Sequence, residues 1–289
     1  MTSTNPFSDT VLPETPLLSA ASVLRPGKSK VSETLRELHA YRELAFFLAW
    51  RDIKVRYKQA VLGVSWAIIQ PLFTMVIFTI LFGRLANLPS DGLPPAVFYL
   101  AGLVPWLYFS STVTNASMSL IGNADMLTKI YFPRVLLPTA VAGGNLVDFL
   151  IGTVIMALMA VAYGVPIGIT WALWPLLMVP LFVLSLGIGM VLAALNVRYR
   201  DIRYVVPFAI QILLFATPII YPASLVPEKY QILFALNPLS GLIEGFRYAL
   251  NPTSMHWDLF AASLATTAAV FFGAWRFFSK SERSFADHV

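Results

Sequence analysis

The sequence has no cysteine, only three histidines and few charged residues, and each shortage excludes a class of protein. Without cysteine, the 289 residues form neither disulfides nor thiolate metal sites. The histidines, at positions 39, 256 and 288, do not have the spacing of paired metal ligands. Charged residues make up 12% and hydrophobic residues 57%, which is more apolar surface than a soluble domain of this size can bury. The composition therefore predicts a membrane protein.

Patterns that would indicate catalysis are also missing. The acidic residues in or near the apolar segments come from separate segments without paired spacing: Asp52, Asp148, Asp201, Glu228, Glu244 and Asp258. No G-x-x-x-x-G-K-[ST] phosphate loop occurs, so we expect no ATP bound in that way. We predict that the chain is not an enzyme and holds no cofactor or metal of its own. The net charge of +5 is attributed to cytoplasmic loops, not to a nucleic-acid surface.

Apolar runs of about 20 residues, the length needed to cross a bilayer as a helix, occur six times. They are residues 64–83, 96–121, 136–163, 170–195, 205–226 and 259–275. Because lipid offers no hydrogen bonds to an open backbone, runs of this length form helices. The fold predicted is an all-α membrane protein with six transmembrane helices.

The distribution of Lys and Arg predicts the orientation of these helices. If the N-terminus is cytoplasmic, 17 of the 20 basic residues fall on the cytoplasmic side. The other side keeps only Arg84, Lys229 and Arg247. This excess of positive charge on one side predicts that both termini are cytoplasmic.

The chain before the first run divides into two parts. Residues 1–30, rich in Pro, Ser and Thr, are predicted to form a flexible cytoplasmic tail, and residues 31–62 an interface helix region. From 46 to 61 a helical period places apolar side chains on one side: Phe46, Trp50, Ile53, Tyr57, Ala60 and Val61. Basic residues on the flanks would face anionic lipid. Gly63 ends this helical pattern. Residues 63–279 are predicted to form the six-span domain, and residues 280–289 are predicted to form a cytoplasmic tail.

Two cytoplasmic connections leave alternatives open. In residues 122–133, Asn123 is predicted to cap a short helix that ends before Pro133 and carries an apolar side. That helix either docks into a groove of a soluble partner or forms an ordinary interfacial loop. In residues 196–203, three Arg around Asp201 form either a local charge network or simply the positive-inside signal.

Asp148 is the single ionisable residue inside a predicted span. An acid near the bilayer centre costs about 3 kcal/mol on insertion scales, so it should face protein or water. It is either a proton or ion site or a residue held by a neighbouring helix. One isolated acid is weak support for ion coupling, which favours the second interpretation.

The outer stretch 221–251 is apolar and interrupted by prolines, which predicts two short half-buried helices between spans five and six. Residues 239–250 form one of them, with Pro238 near its start. Glu244 and Arg247, three residues apart, are predicted to pair. Gly241 and Gly245 permit close helix packing.

Uncharged polar residues within the spans are compatible with a hydrated route. The second half of span two contains Ser110, Ser111, Thr112, Thr114, Asn115, Ser117 and Ser119. Such groups hold helices together or line a passage for a hydroxyl-rich chain.

Four stretches, in this order, resemble the permease subunit of ABC-2 transporters that export polysaccharides such as O-antigen, teichoic acid or capsule. They are WRDIKVRYKQAVLGVSWAIIQPLF, NADMLTKIYFPRVLLP, NVRYRDIRYVVPF and NPLSGLIEGFRYAL. The resemblance covers about residues 44–275. It implies a homodimer in the bacterial cytoplasmic membrane that pairs with two ATP-binding cassette subunits, which hold ATP and Mg, and moves a lipid-linked glycan.

The resemblance also implies roles for particular residues. An interface helix in contact with membrane lipids would include Trp50, Arg51, Lys54, Arg56 and Lys58. A coupling helix that meets the ATPase would include Asn123, Met126, Leu127, Lys129, Ile130, Tyr131 and Phe132. A channel between the protomers, faced by spans one and five, has as candidate lining residues Gln70, Phe73, Thr74, Gln211 and Thr217. Re-entrant helices would close the exit, with Pro222, Pro238, Glu244 and Arg247 at the outer gate.

Two rival functions are weighed against glycan export. One is an ABC-2 permease for a small hydrophobic drug or lipid, which the polar second half of span two disfavours. The other is an ion-coupled secondary transporter that uses Asp148, and the chain lacks the internal repeat and broken-helix pairs typical of such folds.

Overall fold

A computed structural model describes residues 40–58, 63, 65–129, 132–227, 230, 234, 236–252 and 255–282. Within these ranges the regular elements are all helical and no strand occurs, as predicted. The α-helices are α1 (Arg42–Lys58), α2 (Ser65–Phe78), α3 (Pro95–Met118), α4 (Ala124–Lys129), α5 (Leu136–Gly144), α6 (Leu146–Ala162), α7 (Leu173–Arg198), α8 (Ile202–Ala216), α9 (Pro238–Leu250) and α10 (Trp257–Ser281). A π-helix, Thr79–Leu85, extends α2, and short 3₁₀ turns are Ile121–Asn123, Ile169–Ala172 and Ala223–Leu225. The predicted tail 1–30 lies outside the described residues.

Five helical segments in the described part are long and apolar enough to cross a membrane. They are Ser65–Leu85, Pro95–Met118, Leu136–Ala162, Ile169–Arg198 and Trp257–Ser281. The third is made of two helices, α5 and α6, which meet at Asn145. Five of the six predicted spans are thus present as single apolar segments.

The predicted fifth span, 205–226, is wrong in its extent. Its helix, α8, has 15 residues and ends at Ala216, because Thr217 adopts an extended backbone. At 1.5 Å per residue α8 is about 22 Å long, shorter than the roughly 30 Å of hydrocarbon. Apolar composition alone did not reveal this break, because residues 217–220 are buried against protein although they are not helical.

Helix α3 is the centre of the bundle and contacts α2 and each helix from α5 to α9. Most of its side chains are buried, including Phe98, Tyr99 and Tyr108. In contrast, α2 buries only Pro71 and Met75, and its exposed surface is largely apolar. Since α3 is surrounded by protein, most of its side chains face other helices.

A second, smaller core lies where α1, α5 and the last turns of α7 and α10 meet. Leu48 of α1 is buried there, and Leu44 and Ala49 pack beside it. The predicted apolar face of α1 is divided between two environments: Phe46 and Trp50 are exposed and stack on each other, with ring centroids 6.4 Å apart, whereas Ile53 and Tyr57 are half-buried. Tyr57 bonds to Asp148 of α6, and Ala60 and Val61 lie outside the described residues.

Candidate functional site: a polar cavity among four helices

A cavity of about 790 Å³ lies between α2, α3, α6 and α8. Polar side chains from one side of α3 line it: Ser110, Ser111, Thr114 and Asn115. Gln70 of α2 contributes an amide, and aromatic walls come from Trp66, Tyr108 and Phe149. The cavity therefore combines uncharged hydrogen-bonding groups with ring faces.

Two hydroxyls in this cavity are held by their own helix. Ser110 donates to the Leu107 carbonyl and Ser111 to the Tyr108 carbonyl, both at 3.2 Å. A hydroxyl that donates to its own backbone keeps its oxygen lone pairs available to a ligand. The hydroxyl oxygens of Ser110 and Ser111 can therefore accept hydrogen bonds from a ligand.

A charged cluster closes one end of the cavity. Asp148 accepts hydrogen bonds from the Arg56 guanidinium and the Tyr57 hydroxyl. Burial, together with the bond to Asp148, raises the pKa of the Tyr57 phenol, so it remains a donor at neutral pH. Asp148 is thus held by the neighbouring helix α1, as one of its two interpretations predicts, and whether it also carries an ion stays a prediction.

The cluster continues into the core through Asn145, at the junction of α5 and α6. Arg56 donates to the Asn145 side-chain oxygen at 2.6 Å, and the Asn145 amide donates to the Thr112 hydroxyl at 3.0 Å. Asn145 and Thr112 are completely buried. A continuous hydrogen-bonded path therefore links the amphipathic helix α1 to the central helix α3.

The five candidate channel residues occupy different environments. Gln70 lines the cavity, while Phe73 and Gln211 are exposed on α2 and α8. Thr74 donates to the Gln70 carbonyl at 2.9 Å. Thr217 is buried, donates to the Leu213 carbonyl and accepts from the Asn237 amide at 2.9 Å. Their role in lining a channel stays a prediction.

The candidate coupling segment contains a 3₁₀ turn followed by α4. Asn123 does not cap the helix as predicted; its amide donates to the Ser119 carbonyl at 2.8 Å. Met126 and Leu127 are half-buried against the second core and Phe132 is buried in it, whereas Lys129 is exposed. Ile130 and Tyr131 lie outside the described residues, so docking stays a prediction.

The predicted Glu244–Arg247 pair at the outer gate is wrong. Arg247 is buried and donates to the carbonyls of Pro218 and Ile219 at 2.6 and 2.8 Å. Glu244 instead lies 2.6 Å from the imidazole of His256. Although the two side chains are neighbours on α9, each bonds to a different partner that tertiary packing brings near.

Other features of the outer stretch agree with the prediction. Pro238 is the first residue of α9, and the Asn237 side chain accepts from the Leu239 amide at 3.1 Å. A Cβ on Gly241 would lie 2.7 Å from the Leu259 carbonyl oxygen, so this glycine permits the close contact with α10. Pro222, also placed at the gate, is buried.

Basic residues of α1 and of the 196–203 connection lie at the surface of the helix bundle. On α1, Arg51 pairs with Asp52 at 2.8 Å, Lys54 lies over the Trp50 ring, and Lys58 is exposed. In the 196–203 connection, Arg198 and Arg203 lie over the rings of Tyr199 and Tyr204. No salt bridge joins these arginines to Asp201 among the residues described there, which favours the positive-inside interpretation.

The described residues thus form a helical bundle with apolar membrane-length segments and a cavity lined in part by polar side chains. The sequence matches the model of the ABC-2 type transporter family over residues 43–251. The chain belongs to this family of transporter membrane domains.

Named relatives are similar over most of their length. The O-antigen export system permease protein RfbA of Myxococcus xanthus is 32% identical, over 74% of this chain and 82% of the relative. A protein of the same name from Klebsiella pneumoniae is 30% identical, over 71% and 79%. The polysialic acid transport protein KpsM of Escherichia coli is 28% identical, over 72% and 80%.

Proposed function

We propose that this chain is the membrane-spanning subunit of an ATP-driven exporter of a lipid-linked polysaccharide of the O-antigen, teichoic acid or capsule type. Two of its relatives are named for O-antigen export and one for polysialic acid transport. The observation that carries the proposal is the cavity lined by Ser110, Ser111, Thr114 and Asn115. Glycans are recognised by uncharged hydrogen-bonding groups and ring faces, and this cavity offers both.

The proposed topology has six crossings, with α8 as the fifth although it is short, and both termini in the cytoplasm. A buried segment such as Thr217–Ile220 completes that crossing against protein, where irregular backbone is tolerated. The positive-inside distribution supports this orientation in the bacterial cytoplasmic membrane. The exposed apolar surfaces of α2 and α8, which include Phe73 and Phe208, would meet their counterparts in a second copy.

The energy source is proposed to be two ATP-binding cassette subunits that hold ATP and Mg, since the sequence has no phosphate loop. Movement at the 123–132 segment would reach the cavity through the second core, against which Met126 and Leu127 pack. The Arg56–Asp148 pair joins α1 to the cavity wall in the same region. These contacts would connect ATP binding on the partner subunits to the cavity.

Two observations argue against the rival functions. A permease for small apolar molecules would not need the hydroxyl and amide groups that line this cavity. An ion-coupled carrier would need the Asp148 carboxylate free to bind its ion, whereas Arg56 and Tyr57 both bond to that carboxylate. Glycan export driven by ATP is the function that fits both the lining of the cavity and the contacts of Asp148.

The first test is depletion of this protein followed by measurement of lipid-linked glycan on both faces of the membrane. We expect the glycan to accumulate on the cytoplasmic face and to disappear from the surface. Normal surface glycan, with no internal pool, would contradict polysaccharide export and leave a small apolar substrate as the better candidate.

A second test targets the cavity through Ser111→Leu, combined with Asn115→Leu. Loss of these polar groups should stop export and cause the glycan to accumulate inside, while assembly with the ATPase subunits is unchanged. Thr266→Leu on α10 is the matched control, because it also removes a hydroxyl from a span but lies outside the cavity. Equal export by the cavity variant and the control would refute the cavity as the passage.

A further inference from the structure

A second cavity, of about 460 Å³, is a groove on a different surface of the bundle. Its walls are α7, α9 and α10, and neither α2 nor α8 contributes to it. The side chains that line it are almost all apolar, among them Leu176, Val179, Val183, Leu264 and Ala268. The groove is therefore separate from both the polar cavity and the proposed contact between protomers.

The position of the groove along the spans matches one leaflet of a bilayer. On α10 its lining residues run from Trp257 to Ala268, about 16 Å along the helix axis. Half the hydrocarbon thickness is about 15 Å. The groove thus begins at the end of a span and reaches about the middle of the membrane, as an acyl chain does.

The open side of the groove faces the surroundings of the spans. Leu176 and Val179 on α7 are 63% and 59% exposed, and Trp257 at its end is 60% exposed. Helices α7 and α10 both belong to segments able to cross a membrane. This face is therefore positioned to contact the lipids of a bilayer.

A polar group lies where a phospholipid headgroup would be. His256 stands between two lining residues, Met255 and Trp257, and its side chain is 44% exposed. Its Nδ1 atom lies 2.6 Å from the Glu244 carboxylate, so in the cationic form Nε2 is the nitrogen that can donate to a phosphate. The hydrogen bond to Glu244 raises the pKa of His256, which favours the cationic form.

We propose that this groove binds a phospholipid of the surrounding bilayer, with one acyl chain between α7 and α10 and its phosphate beside His256. Gly245 and Tyr248 of α9 form part of the wall. The bound lipid consequently supports α9, the helix placed at the outer gate. The proposal depends on membrane location and not on a glycan substrate, so failure of polysaccharide export would leave it standing.

Photolabelling of the full-length protein with its partner subunits tests this proposal. The probe is a phosphatidylglycerol with a diazirine in one acyl chain, at trace level in nanodiscs of phosphatidylethanolamine and phosphatidylglycerol. Label mapped by mass spectrometry should concentrate on residues 173–183 and 257–268, several-fold above the exposed face of α6 at Leu150, Val154 and Leu158. Equal labelling of both faces would overturn the site, since it would indicate only general solvation by lipid.

Two exposed alanines on α10 provide a matched pair of variants. Ala268→Phe fills the groove and should remove most of the label, whereas Ala265→Phe, outside the groove, should leave it unchanged. Thermal unfolding of both variants confirms that they fold. Labelling of the groove that persists in Ala268→Phe would refute binding there.

Further arms test the headgroup and exclude other occupants. His256→Gln should weaken labelling by the phosphatidylglycerol probe, and an unchanged signal would refute the phosphate contact. Displacement of the probe by undecaprenyl phosphate, but not by unlabelled phosphatidylglycerol, would assign the groove to a polyprenyl carrier and overturn the phospholipid. Because the chain has no native cysteine, Val179→Cys provides a single site, and a disulfide between two copies would show that protein covers this face.

Discussion

The guanidinium carbon of Arg247 lies 3.6 Å from the centre of the Phe98 ring, inside the protein. The same side chain donates to the carbonyls of Pro218 and Ile219, just beyond the end of α8. Burial lowers the pKa of Arg247 to about 9, which leaves it charged at neutral pH. One buried cation therefore joins α9, the start of α3 and the irregular segment after α8.

Replacement of Arg247 by Lys should destabilise the protein. Lysine keeps the charge but not the planar fork, so at least one of the two carbonyls loses its partner, at a cost of about 1–3 kcal/mol. Thermal unfolding in detergent measures the change. Arg84→Lys, at an exposed position, is the control and should leave the melting temperature unchanged.

Substitution of Gly102, which lies against the Arg247 guanidinium, tests the same contacts independently. A Cβ on Gly102 would lie 2.9 Å from an Arg247 nitrogen. Gly102→Ala should therefore displace Arg247 and lower the melting temperature in the same direction. If both variants melt like the parent, Arg247 does not join these segments.

Close packing of α9 on α10 should depend on Gly241. A Cβ there would lie 2.7 Å from the Leu259 carbonyl oxygen and 2.9 Å from the Phe260 Cα, atoms that cannot move separately from their helix. Gly241→Ala should cost about 1–3 kcal/mol, as overpacking does. Gly273→Ala on α10, where a Cβ meets nothing within 4 Å, should be neutral or slightly stabilising in the same unfolding assay.

The Arg56–Asp148 pair should show energetic coupling in a double-mutant cycle. Arg56→Gln and Asp148→Asn each leave the other group without its main partner, so the double variant should lose less stability than the sum of the singles. We expect a coupling of about 1 kcal/mol from equilibrium unfolding. The Arg51–Asp52 pair, between adjacent residues of α1, should couple more weakly because it can persist after unfolding.

The same variants separate the two interpretations of Asp148. Suppose that transport by the parent continues after ATP depletion and that Asp148→Asn abolishes it. Asp148 then carries a coupling ion, and a role in holding α1 alone does not explain the loss. Transport that stays dependent on ATP and insensitive to collapse of the proton gradient agrees with a role in holding α1.

Stability should fall as the pH rises past the range in which His256 is protonated. The hydrogen bond to Glu244 raises the pKa of His256 above its ordinary value of 6.5, so its contribution is complete below pH 6.5 and is lost as pH rises through the folded-state pKa. Burial also raises the pKa of Glu244 above its ordinary value of 4.5. Ionisation of this carboxyl as the pH rises above 4.5 therefore also destabilises the folded state. The sign for His256 predicts a melting temperature that decreases from pH 6 to pH 9.

His256→Gln identifies the source of that pH dependence. This variant cannot gain charge, so the decrease of its melting temperature between pH 6 and pH 9 should be smaller than that of the parent. An identical pH profile for parent and variant would show that other groups control it. Since His256 is well exposed, the effect is expected to be modest and to diminish at high salt.

Several features followed from the sequence because they depend on local composition. The high hydrophobic content and the apolar runs predicted an all-helical membrane protein, and five of the six runs are helical segments of membrane length in the described residues. The hydroxyl side of α3, at Ser110 and Thr114, was visible as a cluster of polar residues in an apolar run. Pro238 marked the start of α9 because proline favours the first turn of a helix.

The errors concern contacts between distant residues. Glu244 and Arg247 are spaced as a helical pair, yet one bonds to His256 and the other to backbone carbonyls that a non-helical segment exposes. Asparagine is a common residue at a helix cap, yet the Asn123 amide donates to the carbonyl of Ser119, one turn earlier in the chain. Periodicity identifies which residues share a face, but it does not state what that face meets.

The sequence by itself determined that this protein is helical, where most of its spans lie and which family it belongs to, since these depend on hydrophobic length and local motifs. The tertiary structure alone decided that Asp148 bonds to Arg56, that Arg247 is buried against Phe98, and that α8 ends at Ala216. Each of these depends on groups far apart in the chain. Removal from water makes a buried charge or an open carbonyl bond to whichever partner the fold brings near, and no local pattern specifies that partner.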